Sequence, residues 1–307
     1  MTLLMYGVSR AGSIYALADG RTTKGSEIAS DQTVKLHPFP GTDGTKSGDF
    51  AAVVLISGRS DFALPGSGVT GQQPVVDAMS AVTEYLALRR DFTSVGQLGD
   101  AIWSDVIHPL WWHCRDCCDQ KLVDAAFWGQ DFDGESCCDT HVPFSLTVVG
   151  FDGGTDDSPR LYMRTFAEGP AVEEVMAPGS VYFSDGDRPP TIGLDELDDR
   201  RVRAEFQTRA RLINASAREV FRQIDDQERQ DADREALLRT DAVHRSVGSQ
   251  AADSAAELES IRRTHQAKLQ DIESRTVAGT VGGRVLSCVV DSQRGIKFLP
   301  DWVLSAD

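Results

Sequence analysis

Residues 17–36 read LADGRTTKGSEIASDQTVKL. An apolar run stops at Asp19, the chain turns at Gly20, and a polar segment leads into a second β-like run in which Lys35 stands between Val34 and Leu36. An acid closing one apolar strand and a lysine set inside the next are both drawn toward the interior, and buried charges are found paired. Asp19 and Lys35 are therefore expected to meet. Two readings fit such a pair: a structural salt bridge between neighbouring strands, or part of an active site.

Working outward, "TLLMYGV" and "SIYALAD" flank the turn "SRAG" and predict a hairpin that ends at Asp19. A second hairpin is expected from "TVKLHPF" and "FAAVVLISG". The near-continuous apolarity of "AAVVLIS" suits a strand covered on both faces. From Gln72 the period changes: Val75, Met79, Val82 and Leu86 recur at helical spacing after Pro74, and a second helix is expected over Ser94–Ile107, ended by Pro109. "FSLTVVGFDGGTDDSPRLYMRTF" reads as a third hairpin, and "VGGRVLSCVVDSQRGIKFL" as closing strands turning at Gln293–Gly295.

Residues 195–275 differ in kind, rich in Asp, Glu, Arg, Gln and Ala without proline. One apolar stripe joins Phe206, Ala210, Ile213, Ala217, Val220 and Ile224. A second joins Ala255, Leu258, Ile261, His265, Leu269 and Ile272. Two long amphipathic helices follow, joined around Arg239–Gly248, as a solvated face or as an antiparallel hairpin that packs on a neighbouring subunit. The order strands, two helices, strands, two helices, strands suits an α+β fold, a four-layer αββα sandwich with a helix pair on each side. The expected organisation is a single domain over residues 1–307, with a Cys-rich insertion at 109–143 and the helical pair at 195–275.

With 307 residues and 41% hydrophobic content the chain is long enough for a substantial core. Its formal charge of −16, from 47 acidic against 31 basic residues, argues against nucleic acid or an anionic membrane as the main partner. No apolar run reaches membrane-spanning length and no leader is evident, so a cytoplasmic protein is expected. Of six cysteines, five lie between Cys114 and Cys138. Cys114, Cys117, Cys137 and His141 approach the ligand pattern of a tetrahedral structural zinc, with unligated thiols or disulfides as the other readings. Cys288 reads as core, and His37, His108, His244 and His265 as solvent or packing residues. Asn214-Ala215-Ser216 fits a glycosylation sequon but falls inside an expected helix.

These residues resemble the proteasome β-type N-terminal-nucleophile hydrolases, including the bacterial proteasome-related peptidases. "ALADGRTTKG" is similar to the family's second strand ending in an Asp, "TVKL" supplies the lysine at the family's separation, and "AVVLISG" resembles the strand ending in the oxyanion-hole glycine. "LTVVGFDGG" with "PRLYMRTFAEG", and the closing strands, continue the match over about two-thirds of the chain. The resemblance implies Thr2 as nucleophile after removal of Met1, Lys35 as the group that tunes its amine, Asp19 as the partner of Lys35, Gly58 as oxyanion donor and Ser180 as a supporting serine. It also implies Thr23 as holder of the substrate backbone, with Thr22, Thr33 and Ile56 near the side-chain pocket. The Thr2-to-Asp19 interval is one residue longer than in the family, so the first hairpin must absorb a bulge or a wider turn.

The chemistry asks for these groups independently. A threonine hydroxyl needs a base, and an α-amino group with a pKa of about 7.7–8.0 is one on the same residue. A nearby lysine favours the neutral amine by repulsion, and an acid holds the lysine in place. The implied activity is amide-bond hydrolysis, as a threonine peptidase acting on peptides or on small amides, in a homo-oligomer that resembles a ring, with no cofactor needed for catalysis. The alternative is a catalytically inactive scaffold of the same fold.

Overall fold

β1 (Leu4–Val8) and β2 (Ile14–Asp19) form the expected hairpin, and every residue of both strands is buried. Their register runs unbroken from Leu4↔Ala18 to Val8↔Ile14, so the extra residue sits in a wider turn, where Ser9 N–H donates to Ser13 O and Gly12 adopts φ +90°. The computed structural model describes residues 3–24, 27–39, 50–58, 61–63, 75–88, 92–110, 144–153, 157–165, 171–183, 199–246, 251–274 and 281–304.

Short strands β3 (Thr22–Lys24) and β4 (Glu27–Ser30) pair within the loop that follows Asp19. β5 (Leu36–Phe39) and β6 (Ala51–Gly58) make the second hairpin. β7 (Asp61–Ala63) pairs with β8 (Val75–Asp77), which corrects the expectation of helix from Val75: the helix α1 is Ala78–Leu88. Asp77 starts it, accepting the N–H groups of Met79 and Ser80. Helix α2 (Val95–Ile102) is capped by Ser94, whose hydroxyl accepts the Gln97 N–H, and widens into a π turn over Trp103–Ile107. Helical structure continues through Pro109 to Leu110 instead of stopping there. The wider turn just before it eases the carbonyl that the proline ring would otherwise crowd.

β9 (Phe144–Phe151) and β10 (Pro159–Thr165) give the third hairpin; β11 (Val172–Val175) and β12 (Val181–Phe183) follow. Helices α3 (Asp199–Ser246) and α4 (Ala251–Ser274) precede β13 (Gly283–Asp291), β14 (Gly295–Phe298) and β15 (Trp302–Leu304). One sheet has the order β12-β1-β2-β13-β14, with β15 also on β13, and the other β11-β10-β9-β6-β5. The fold is thus mixed α and β, with antiparallel sheets.

Three apolar clusters account for the packing. Tyr6, Ala16, Val53, Val149, Leu161 and Cys288 belong to a core shared by both sheets. Burial pushes the Cys288 thiol up to about 12, as suits a core residue. Val54 and Tyr162 of the second sheet pack with Met79, Val82 and Leu98 of α1 and α2. Met5, Leu17 and Val285 of the first sheet pack with Phe206, Ala210 and Ile213 of α3. Successive β6 residues therefore serve two different cores, the reason for its unbroken apolar sequence.

At 48 residues α3 is about 72 Å long, far more than the sheet can cover. Beyond Asn214 it runs antiparallel with α4, joined by Arg229–Glu273, Lys268–Glu235 and His265–Asp233 contacts at 3.2, 3.6 and 2.8 Å and by buried Ala232, Val243 and Ile272. The expected helix pair on this sheet is corrected: among the described residues the helical side chains in the core on this sheet come from α3, and α4 packs on α3. No described helix is long and apolar enough to cross a membrane.

Candidate functional site

Asp19 ends β2 and Lys35 immediately precedes β5, so the two side chains meet where the sheets abut. Both are buried, with Lys35 Nζ 3.1 Å from Asp19 Oδ1. Lys35 also donates to the Arg21 carbonyl. The same Asp19 Oδ1 accepts the backbone N–H of Leu3 at 2.9 Å, and Oδ2 accepts that of Gly282 at 3.2 Å. Of the three ammonium donors of Lys35, two are used among the described residues. Burial pushes Asp19 up from the ordinary carboxylate range and Lys35 down from the ordinary lysine range, while their contact opposes both shifts.

The loop between them is built to hold this geometry. Buried Arg21 grips Asp31 through Nε at 2.6 Å and Nη2 at 3.1 Å. Thr33 N–H donates to Gly20 O, and Arg284 N–H to Asp31 O, both at 2.9 Å. Gly283, at φ +77°, passes so close to Asp31 that a Cβ would lie 2.6 Å from its carbonyl oxygen. Residues 281–282 are placed in turn by Asn214, whose amide donates to Val281 O and accepts from Val281 N, both at 2.9 Å. Asn214 thus has a structural role at a position where the sequence suggested a sequon. Its place next to Ile213 on the core-facing stripe was the available signal.

The implied site residues fall into three groups. Asp19, Lys35, Thr22 and Thr33 gather together: Thr22 Oγ1 and Thr33 Oγ1 are 3.4 Å apart. The Ile56 N–H donates to Lys35 O at 3.1 Å, although its side chain packs toward the helices. Alternate residues of a strand turn their N–H groups the same way, so Gly58, two residues on, turns its N–H to the same edge, past the point where β5 begins at Leu36. That group lies about 7 Å along the strand from Ile56.

Ser180 is not brought to this site. Its carbonyl accepts the N–H of Val8, at the far end of β1 from Leu3, about 17 Å away along the strand, because antiparallel pairing sets Val181 opposite Gly7 and so Ser180 beside Val8. Thr2 and the side chain of Thr23 lie outside the described residues, as do Cys114, Cys117, Cys137 and His141. Among the described residues no group of three or more His, Cys, Asp or Glu is arranged to hold a metal ion. Compared with known proteins, the chain matches no family model and no curated protein.

Proposed function

We propose that the chain is an amide-bond hydrolase, a proteasome-like threonine peptidase of the N-terminal-nucleophile type on a four-layer αββα sandwich. One observation carries the reading: a single buried carboxylate, Asp19, holds both the Lys35 ammonium and the Leu3 N–H, and Leu3 is bonded directly to Thr2. The three apolar clusters, ordered helices, sheet, sheet, helix, support the sandwich.

In this mechanism removal of Met1 frees the Thr2 amine. The amine takes the hydroxyl proton as Thr2 Oγ attacks the scissile carbonyl, and Gly58 N–H donates to the oxyanion. The proton passes to the departing amine as the C–N bond breaks, leaving an ester on Thr2. Water then attacks that ester, its proton returning through the amine to Oγ. Lys35 keeps the amine neutral by repulsion, and Asp19 orients Lys35. Substrates are peptides or small amides, and no cofactor takes part. We further propose a homo-oligomer, ring-like in its enclosure of the site and supported by the exposed Val220 and Ile224 on α3, and a structural zinc at Cys114, Cys117, Cys137 and His141.

The test combines intact mass with hydrolysis of fluorogenic peptide amides. The expected result is a mature chain lacking Met1 whose activity is almost entirely lost in Thr2→Ala with folding unchanged; full activity in Thr2→Ala overturns the reading. The inactive-scaffold alternative draws on the same contacts. Asp19 joins Leu3, Lys35 and Gly282 as a structural knot would, and a wild type without Met1 but also without amidase activity selects it.

A further inference from the structure

A cavity of about 750 Å³ runs along the edge of β5, between α1 and the β13–β14 edge of the other sheet. Its apolar wall includes Val34, Leu36, Met79, Leu86, Leu286 and Phe298. The polar part of the wall is one-sided. Thr83 Oγ1 lies 2.8 Å from Met79 O and 3.0 Å from His37 Nδ1; with the hydroxyl proton given to Met79 O, the ring proton sits on Nδ1. His37 Nε2 is then an acceptor, buried and without a hydrogen-bond partner among the described residues. Ser80 Oγ gives its proton to Asp77 at 2.7 Å. Asp77 and Glu84 add carboxylates, and none of the described lining residues is Lys or Arg.

The two carboxylates are not equivalent. Asp77 is engaged by the N–H groups of Met79 and Ser80 at the positive end of α1. Glu84 makes no ion pair among the described residues and stands in the C-terminal half of the helix, toward the negative end of its dipole. His37 contributes no compensating positive charge, since burial pushes its pKa down to about 4.

We propose that this cavity binds a molecule with an apolar body and a cationic, hydrogen-bond-donating head, the head seated at Glu84. An ammonium offers donors only and so matches a wall of acceptors. The inference deepens the hydrolase reading by naming its substrate class, because Thr33 belongs both to this wall and to the surroundings of Lys35. Only the step from binding to turnover rests on that reading.

Calorimetry with 4-phenylbutylamine, 4-phenylbutanol and 4-phenylbutyrate at low salt provides the test. The amine is expected to bind about tenfold tighter than the alcohol, and the acid weakest. Glu84→Gln, on an exposed side chain, should bring the amine down to the affinity of the alcohol. Asp77→Asn, which retains the helix cap, should change it less than about twofold. Ala87→Trp should obstruct all three ligands, with circular dichroism confirming the fold. Equal binding of amine and alcohol, no binding to the wild type, or full binding to Ala87→Trp each overturn the proposal. Thr2→Ala separates the two readings: it should bind the amine like the wild type, so retained binding in a wild type without amidase activity sinks the hydrolase and leaves the cavity assignment standing.

Discussion

Lys35→Met replaces a buried ammonium with an apolar side chain of similar length and leaves Asp19 with only the Leu3 and Gly282 N–H donors. The buried carboxylate then either stays charged without its cation or takes up a proton. Protonation sets a ceiling on the penalty. Holding Asp19 neutral at pH 7, about three units above its ordinary value of 3.8, costs about 4 kcal/mol at about 1.36 kcal/mol per unit. This agrees with the roughly 3–5 kcal/mol typical of removing one partner of a buried pair.

The pH dependence of the variant has a definite sign. Without Lys35, burial holds the folded pKa of Asp19 above its unfolded value, so the folded state binds more protons over that interval. The associated stability is present in full below pH 3.8 and is lost as pH rises toward the folded pKa. Urea denaturation followed by circular dichroism should show a loss of up to about 4 kcal/mol at pH 7 that shrinks toward pH 4. Adding Asp19→Asn should recover much of it, since the second change removes the stranded charge. A loss under about 1 kcal/mol at pH 7, flat with pH, would refute the reasoning, because a pair as desolvated as this one cannot be broken so cheaply.

Asn214→Ala should destabilise by about 2–4 kcal/mol in the same assay, because it strands the buried N–H and C=O of Val281, with Asn214→Asp intermediate; a change within 0.5 kcal/mol counts against that role. Purified protein should carry about one zinc per chain by elemental mass spectrometry, and Cys117→Ser should lower both zinc content and melting temperature. Metal-free protein of equal stability under reducing conditions removes the zinc proposal. Light scattering should detect an oligomer larger than a dimer whose association strengthens from low to physiological salt, since a charge of −16 per chain opposes assembly when unscreened. A monomer at every concentration and salt would leave the α3–α4 hairpin as a solvated extension.

Local pattern was enough for the hairpins at β1–β2, β5–β6 and β9–β10, for the helix that follows Ser94 and for two long helices, because side-chain alternation, helical period and turn residues depend on neighbours in the chain. The pairing of Asp19 with Lys35 was legible for a related reason: Asp19 closes one apolar strand and Lys35 directly abuts another, so neither charge has an easy way to stay solvated. Short strands escaped notice. β7, β8, β12 and β15 have three residues each, too few for a period to emerge, and at Val75–Asp77 strand pairing with Asp61–Ala63 displaced a helical pattern that locally looked sound.

Chain-distant relations were settled by packing. The carboxylate of Asp19 is shared among residues at positions 3, 35 and 282, and Gly282 is held there by way of an asparagine in the middle of a helix. Ser180, a member of the site by the resemblance alone, lies at the opposite end of β1 because antiparallel pairing sets Val181 opposite Gly7. α3 could be read as amphipathic throughout, yet the length of its burial is set by the width of the sheet beneath it: Phe206, Ala210 and Ile213 are covered, while Val220 and Ile224, on the same stripe, are not. A hydrophobic period records which residues share a face. What that face meets depends on strand order and register, and those are fixed only when the whole chain competes for the same buried volume.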